Sequence, residues 1–247
     1  MKSILITVCS LLVAVWFMSM TGAGAGSNPP ARPADTGSIT GVVKFPEDYP
    51  ERDKITITKD PAVCGAFQFS ELFVVSEANH GLKNVVVTLV GAKGRVKAGE
   101  AKVTMSQTKC RYVPHVQAVP VGTKLEILNN DGILHNVHAY FDGLDPKKTV
   151  FNKAQPKFLK KIGQTVDKVG MYYYKCDVHD HMSAYIAVMD HPYYAVTNEA
   201  GEFAISNVPA GTYKIQAWHE VLGKLEKEVT VETGKPARVT FDILPNE

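Results

Sequence analysis

Cys176, His179 and Met182 stand in the stretch Cys176-Asp177-Val178-His179-Asp180-His181-Met182, at Cys-x-x-His-x-x-Met spacing. A second imidazole lies far upstream, at His135 in Leu134-His135-Asn136-Val137-His138. One thiolate, two imidazoles and one thioether are a copper ligand set. A trigonal two-histidine, one-cysteine plane with a weak axial Met offers both soft sulfur and borderline nitrogen, which suits copper in either oxidation state. Such a site changes its geometry little on electron transfer. Three ligands in a seven-residue loop cannot hold that geometry unaided, because a loop moves unless a rigid scaffold fixes it. The distant His135 therefore has to come from a neighbouring strand.

The pair His135-Asn136-Val137-His138 and Cys176-x-x-His179-x-x-Met182 resembles the cupredoxins, with the short ligand loop of the amicyanin kind. Upstream, Tyr112-Val113-Pro114-His115 and the run from Pro120 to Asp131 are similar to the strand, Gly turn and strand that precede the first ligand in plastocyanin-like domains. The resemblance covers roughly residues 100 to 190 and implies a Greek-key β-sandwich. It implies that Cys176, His135 and His179 form the trigonal plane of one copper ion cycling between Cu(I) and Cu(II), with Met182 axial. It further implies that Asn136 ties the two ligand segments together by hydrogen bonds. His179, in an exposed loop, would be the electron port. His138, three residues after His135 on an alternating strand, should point to the opposite face and is a second-choice ligand. His181 departs from the family pattern, which is apolar there, and reads as a solvent-facing residue or a competing ligand. His80, His115, His191 and His219 read as structural.

The elements around the site read as strands throughout. Lys2 followed by the apolar run Ile4–Phe17 and by Ala23-Gly24-Ala25 describes a signal peptide over residues 1–25, too short for a membrane span. Residues 26–37 carry three prolines among small polar residues and describe a disordered linker. Ordered chain is expected from Ser38. Strand patterns occur at 39–45, 55–58, 72–75, 85–90, 124–128, 135–141, 172–175 and 184–189, and nothing has helical spacing over three turns. Residues 142–168 are the least regular part and should form a surface excursion with a short helical turn.

The C-terminal stretch changes character. Asn198 to Ile205, Val208 to Trp218 and the runs through Val229 and Val239 to Ile243 alternate strand and Gly-containing turn. They are similar to the later half of carboxypeptidase regulatory-like, transthyretin-like β-sandwich modules, whose earlier strands match 37–45 and 84–91. The expected fold is all-β. A cupredoxin-like domain at 92–194 is inserted in, or adjacent to, a discontinuous sandwich formed by 38–91 and 195–247. The alternative is a linear arrangement with one enlarged cupredoxin over 38–190.

Export sets the redox context. With Cys9 leaving in the leader, Cys64, Cys110 and Cys176 remain in an oxidising, periplasmic or extracellular compartment. The odd count suggests one thiol with a separate role. Cys64 and Cys110 form a possible disulfide and Cys176 is left for metal, although a bridged Cys176 is the competing arrangement. Of 27 Lys+Arg against 25 Asp+Glu, only Lys2 falls in the leader, leaving 26 against 25 and a net charge of +1. That balance supplies no global field for nucleic acid or an anionic membrane. No nucleophile elbow, phosphate-binding loop or dinucleotide fingerprint is present, and a binuclear centre would need a second Cys in the loop. The sequence thus reads as a one-electron carrier and not an enzyme, working with a redox protein such as a cytochrome or dehydrogenase. The alternative is a copper-binding, storage or interaction module without electron-transfer turnover.

Overall fold

The computed structural model describes residues 35–46, 51–96 and 102–243. The expected signal peptide at 1–25 and most of the expected linker at 26–37 lie outside the described residues. Among those described, no helix is long and apolar enough to cross a membrane.

The chain is built almost entirely of strands. It opens with β1 (Thr36–Lys44), which takes Thr36 and Gly37 out of the expected linker and into a sheet. A small hairpin, β2 (Lys54–Thr56) and β3 (Phe67–Phe69), encloses the one-turn helix α1 (Pro61–Cys64). There follow β4 (Val86–Leu89), β5 (Val103–Gln107), β6 (Tyr112–Val113), β7 (Val116–Pro120), β8 (Thr123–Asn129) and β9 (His135–Phe141). After a 3-10 turn at Pro146–Lys148 come β10 (Thr149–Gln155), β11 (Lys161–Val166), β12 (Gly170–Lys175) and β13 (Ser183–Met189). The last five strands are β14 (Tyr194–Val196), β15 (Glu202–Pro209), β16 (Gly211–His219), β17 (Gly223–Val231) and β18 (Pro236–Asp242).

Four of the sheets bury two main cores. The sheets β10-β9-β12-β13-β7 and β11-β8-β5-β6 enclose Met105, Leu125, Ile127, Val137, Tyr172, Tyr174 and Ile186. The sheets β15-β1-β18 and β14-β4-β16-β17 enclose Ile39, Val43, Val87, Leu89, Phe203, Ile215 and Phe241. Period-two burial is plain in β8, where Thr123, Leu125, Ile127 and Asn129 point inward and the residues between them do not. A third, small cluster of Val86, Val116 and Ala187, with Tyr185 and Trp218 against it, joins the two sheet pairs.

His115 is structural, as its sequence context suggests, and it pins that joint. Its ring donates from Nδ1 to the Ser183 carbonyl at 3.0 Å and from Nε2 to the Glu220 carboxylate at 2.5 Å, with both His115 and Glu220 side chains almost fully buried. Burial alone would lower its pKa, but the Glu220 hydrogen bond and charge outweigh that and raise it.

The segment 54–69 corrects the expectation that all of 38–91 belongs to the sandwich module. Ile57 and Cys64 are buried in the core between the sheets β10-β9-β12-β13-β7 and β11-β8-β5-β6. The reason is covalent and polar together: Cys64 is disulfide-bonded to Cys110, and Gln68 donates to the carbonyls of Cys64 and Lys109. The segment forms a strap laid across one end of those sheets.

Candidate metal centre

The site sits at that end. Alternation along β9 turns His135, Val137 and Ala139 into the core, while His138 faces outward to Asp177 (3.0 Å) and Thr149 (3.1 Å), as its register predicts. β12 delivers Cys176 to the same end, and the chain turns back into β13 through the ligand loop. The turn is closed by two backbone hydrogen bonds, Met182 N–H to His179 O at 3.0 Å and Cys176 N–H to Met182 O at 3.3 Å.

The structure brings the ligand atoms of His135, Cys176 and His179 within 4.8 Å of one another. His135 Nδ1 and His179 Nδ1 lie 4.0 and 3.9 Å from Cys176 Sγ. All three residues are at most 2 % exposed, and Met182, at the end of the loop, is equally buried, in the same core cluster as Cys176. Cys176 is the free cysteine among the described residues, and the Cys64–Cys110 disulfide is formed.

Polar groups around the trio fix its tautomers. His135 donates from Nε2 to Asp131 at 2.9 Å, and His179 donates from Nε2 to Asp60 at 3.0 Å. Both imidazoles therefore turn Nδ1 toward the sulfur, which is how an outer carboxylate orients a metal-binding histidine. Asn136 accepts from Asp177 N–H at 3.1 Å and its own N–H points to Cys176 Sγ at 3.4 Å, tying the two ligand segments together. Asn136 also donates to Asn152 of β10, which returns a hydrogen bond to Asp177 at 2.9 Å and closes the ring.

Asp60, Asp131 and Asn152 were not singled out by the sequence. Asp131 carries the one available signal, lying four residues before His135.

Two readings of the loop need correction. His179 is not an exposed port: its side chain has no exposure, because Asp60 on the strap covers Nε2. His181 neither faces solvent freely nor joins the ligand group. It is half-buried and donates to the Cys110 carbonyl at 3.1 Å. The disulfide packs beside His179, whose ring nitrogen lies within 4.8 Å of both its sulfurs.

The electrostatics of the metal-free site divide the histidines. For His135, burial opposes protonation, but the Asp131 hydrogen bond and the Cys176 sulfur outweigh it and raise its pKa to about 9. His179 is lowered, chiefly by burial, with Asp60 opposing and the His135 charge adding to the effect. Burial would raise the Cys176 thiol, yet hydrogen bonds from His135 and from the N–H groups of Asn136 and His179 bring it below its usual value.

His135 is thus charged at neutral pH until a metal replaces its proton. Its raised value stabilises the metal-free fold fully below the ordinary histidine range and loses that contribution as pH rises through about 9. Copper loading at pH 7 is expected to release about one proton from His135. That increment should vanish above pH 9, as read by calorimetry in buffers of different ionisation enthalpy. A release independent of pH between 7 and 10 contradicts the assignment.

Comparison with known proteins returns one family match and a set of solved structures. The carboxypeptidase regulatory-like domain family matches residues 183–244, a span that starts with β13. Among solved structures, the M98A mutant of amicyanin in its Cu(I) form is 21% identical over 42% of this chain and 98% of its own, with a TM-score of 0.32. Amicyanin from Paracoccus versutus gives 21%, 42%, 97% and 0.32 on the same measures. The copper-containing nitrite reductase of Thermus scotoductus is 25% identical over 40% of this chain and 24% of its own, with a TM-score of 0.30. A search of curated proteins returned no match.

Proposed function

We propose that this protein is an exported, mononuclear type 1 copper protein that carries single electrons between redox partners. The observation that carries the reading is the buried trio of His135, Cys176 and His179, with both imidazole Nδ1 atoms about the sulfur and both Nε2 atoms held by carboxylates. That donor set fits copper: soft thiolate, two neutral imidazoles and, in Met182, a thioether that zinc accepts poorly. Copper bound there supplies a reversible one-electron couple between Cu(I) and Cu(II). His135, His179 and Cys176 would hold the ion, with the Met182 thioether as a further weak donor. Asp131, Asp60 and Asn136 keep that arrangement fixed, so little reorganises when the charge changes.

Burial of every donor supports a carrier over an enzyme, which would have to admit a substrate. The Cys64–Cys110 disulfide supports the oxidising compartment that export provides. We also read the chain as a cupredoxin-like unit nested in the regulatory-like sandwich, with strap 54–69 belonging to the copper unit. The partner is a redox protein, a cytochrome or dehydrogenase, and neither nucleic acid nor membrane.

One absorption spectrum tests the reading. Protein given Cu(II) should turn intensely coloured through thiolate charge transfer, and Cys176→Ser should be colourless. A wild type that is fully copper-loaded and colourless would sink the proposal. A second reading, copper storage, is favoured by the strap, since Asp60 closes His179 from solvent. Reversible one-electron voltammetry supports the carrier, whereas tight Cu(I) retention without cycling supports storage.

A further inference from the structure

Between Asp145 and Asp167 the chain carries six lysines and no acidic residue, against an overall balance of 27 Lys+Arg to 25 Asp+Glu. β10 and β11 are the edge strands of the two facing sheets, so the turn between them crosses the open side of the sandwich. It crosses at the end that holds the trio, because Gln155, the last residue of β10, pairs with His135. Buried Asn129 binds this turn to its neighbour. It donates from its side chain to Ile133 O at 2.8 Å and Gln155 O at 3.0 Å, and from its backbone to Lys160 O at 2.9 Å.

The rim so formed is apolar at its tip and cationic around it. Phe158 is 80% exposed and Leu134, next to His135, is 46% exposed. Lys148 and Lys161 pair with Asp142 and Glu126, whereas exposed Lys153, Lys157 and Lys160 enter no ion pair among the described residues. Asp60 of the strap caps His179 Nε2 as Asp131 caps that of His135.

We propose that this rim, Leu134 and Phe158 with Lys153, Lys157 and Lys160, is the docking face for an acidic redox protein. The inference rests on the carrier reading. The rim adjoins His135 through Leu134 and through the pairing of Gln155 with His135, and an exposed aromatic accompanied by unpaired lysines suits an apolar pocket in an acidic surface. The lysines steer the encounter and Phe158 fixes its register. Adjacency to His135 favours a redox protein over a lipid surface, for which nearness to the metal would be incidental.

Two probes test it on the diamagnetic Cu(I) protein. Hexacyanochromate(III), a redox-inert paramagnetic trianion, should broaden amide resonances at 133–134 and 153–161, and K157E/K160E should abolish the effect. Hexacyanoferrate(III) takes one electron from the Cu(I) protein, giving hexacyanoferrate(II) and the Cu(II) protein. At low salt that rate should fall about tenfold in K157E/K160E, while oxidation by the tris(phenanthroline)cobalt(III) cation should not fall. Broadening elsewhere, or an unchanged hexacyanoferrate rate in a variant with normal colour, overturns the docking face and leaves the carrier intact. Sedimentation of wild type, but not K157E/K160E, with phosphatidylglycerol vesicles reassigns the face to lipid and also overturns it. A wild type that neither complex oxidises defeats the carrier reading itself.

Discussion

Asp131→Ala is expected to weaken copper binding by roughly 10- to 100-fold and to destabilise the metal-free protein by about 3 kcal/mol. The carboxylate serves two structures at once. Through one oxygen it accepts from His135 Nε2–H at 2.9 Å and from Cys110 N–H at 2.8 Å, and through the other from Lys109 N–H. Lys109 and Cys110 both have positive φ, 52° and 54°, a left-handed pair that side chains other than glycine adopt at a cost. Asp131 is what holds that turn, and the turn carries one half of the disulfide. Truncation therefore frees the His135 ring to rotate its Nδ1 away from Cys176 and leaves two backbone donors without their acceptor. Burial would raise the Asp131 pKa, but the hydrogen bonds from His135 and the two backbone N–H groups lower it. Its contribution is thus present above the ordinary carboxylate range and is lost as pH falls through the lowered folded value. Competition against a Cu(I) chelator and thermal melts at pH 7 read the two effects separately. Wild-type copper affinity in the Ala variant would show that Asp131 does not orient His135.

How much of this was legible depends on how local each requirement is. The convergence of His135, Cys176 and His179 could be read because copper chemistry demands particular atoms at fixed spacing inside one seven-residue loop, and because alternation along a strand decides between His135 and His138. The outer carboxylates could not. A single Asp is unremarkable anywhere, and Asp60 meets His179 from 119 residues away, through a strap whose path no local pattern encodes. His181 reads as exposed for the same reason: the segment that partly covers it comes from elsewhere in the chain. Strand character at 55–58 was plain, but period-two alternation reports that a residue pair faces a core, not which of two cores. β10 was missed within the expected excursion 142–168 because it is an edge strand exposed on both faces, so no apolar alternation marks it.

The strap yields the other large effect. Cys64→Ser/Cys110→Ser should cost about 4 kcal/mol, the chain-entropy value for a bond closing a sequence separation of 46 residues, and lower the melting temperature by roughly 8–16 °C. The closed loop spans more than the strap, since it contains β4, which pairs in the sheet β14-β4-β16-β17. Losing the bond therefore loosens the copper-ligand sheets and the sandwich together. Besides the buried Ile57 side chain, what remains on the strap is the Asp60–His179 hydrogen bond, the Gln68 contact to Lys109 and the Arg111 contact to the Phe69 carbonyl. These are weak against the entropy of a free hairpin. Local opening should then precede global unfolding and expose His179 Nε2. Hydrogen exchange would report it as lost protection at Ile57 N–H, which bonds to Ala66 O across the hairpin. Because opening gives a second route to the metal, the double variant should exchange electrons with hexacyanoferrate faster than wild type while retaining Cu(I) less tightly. If both quantities stay at wild-type values while stability drops, the strap is a staple for folding alone and the covered His179 has no bearing on access to the metal.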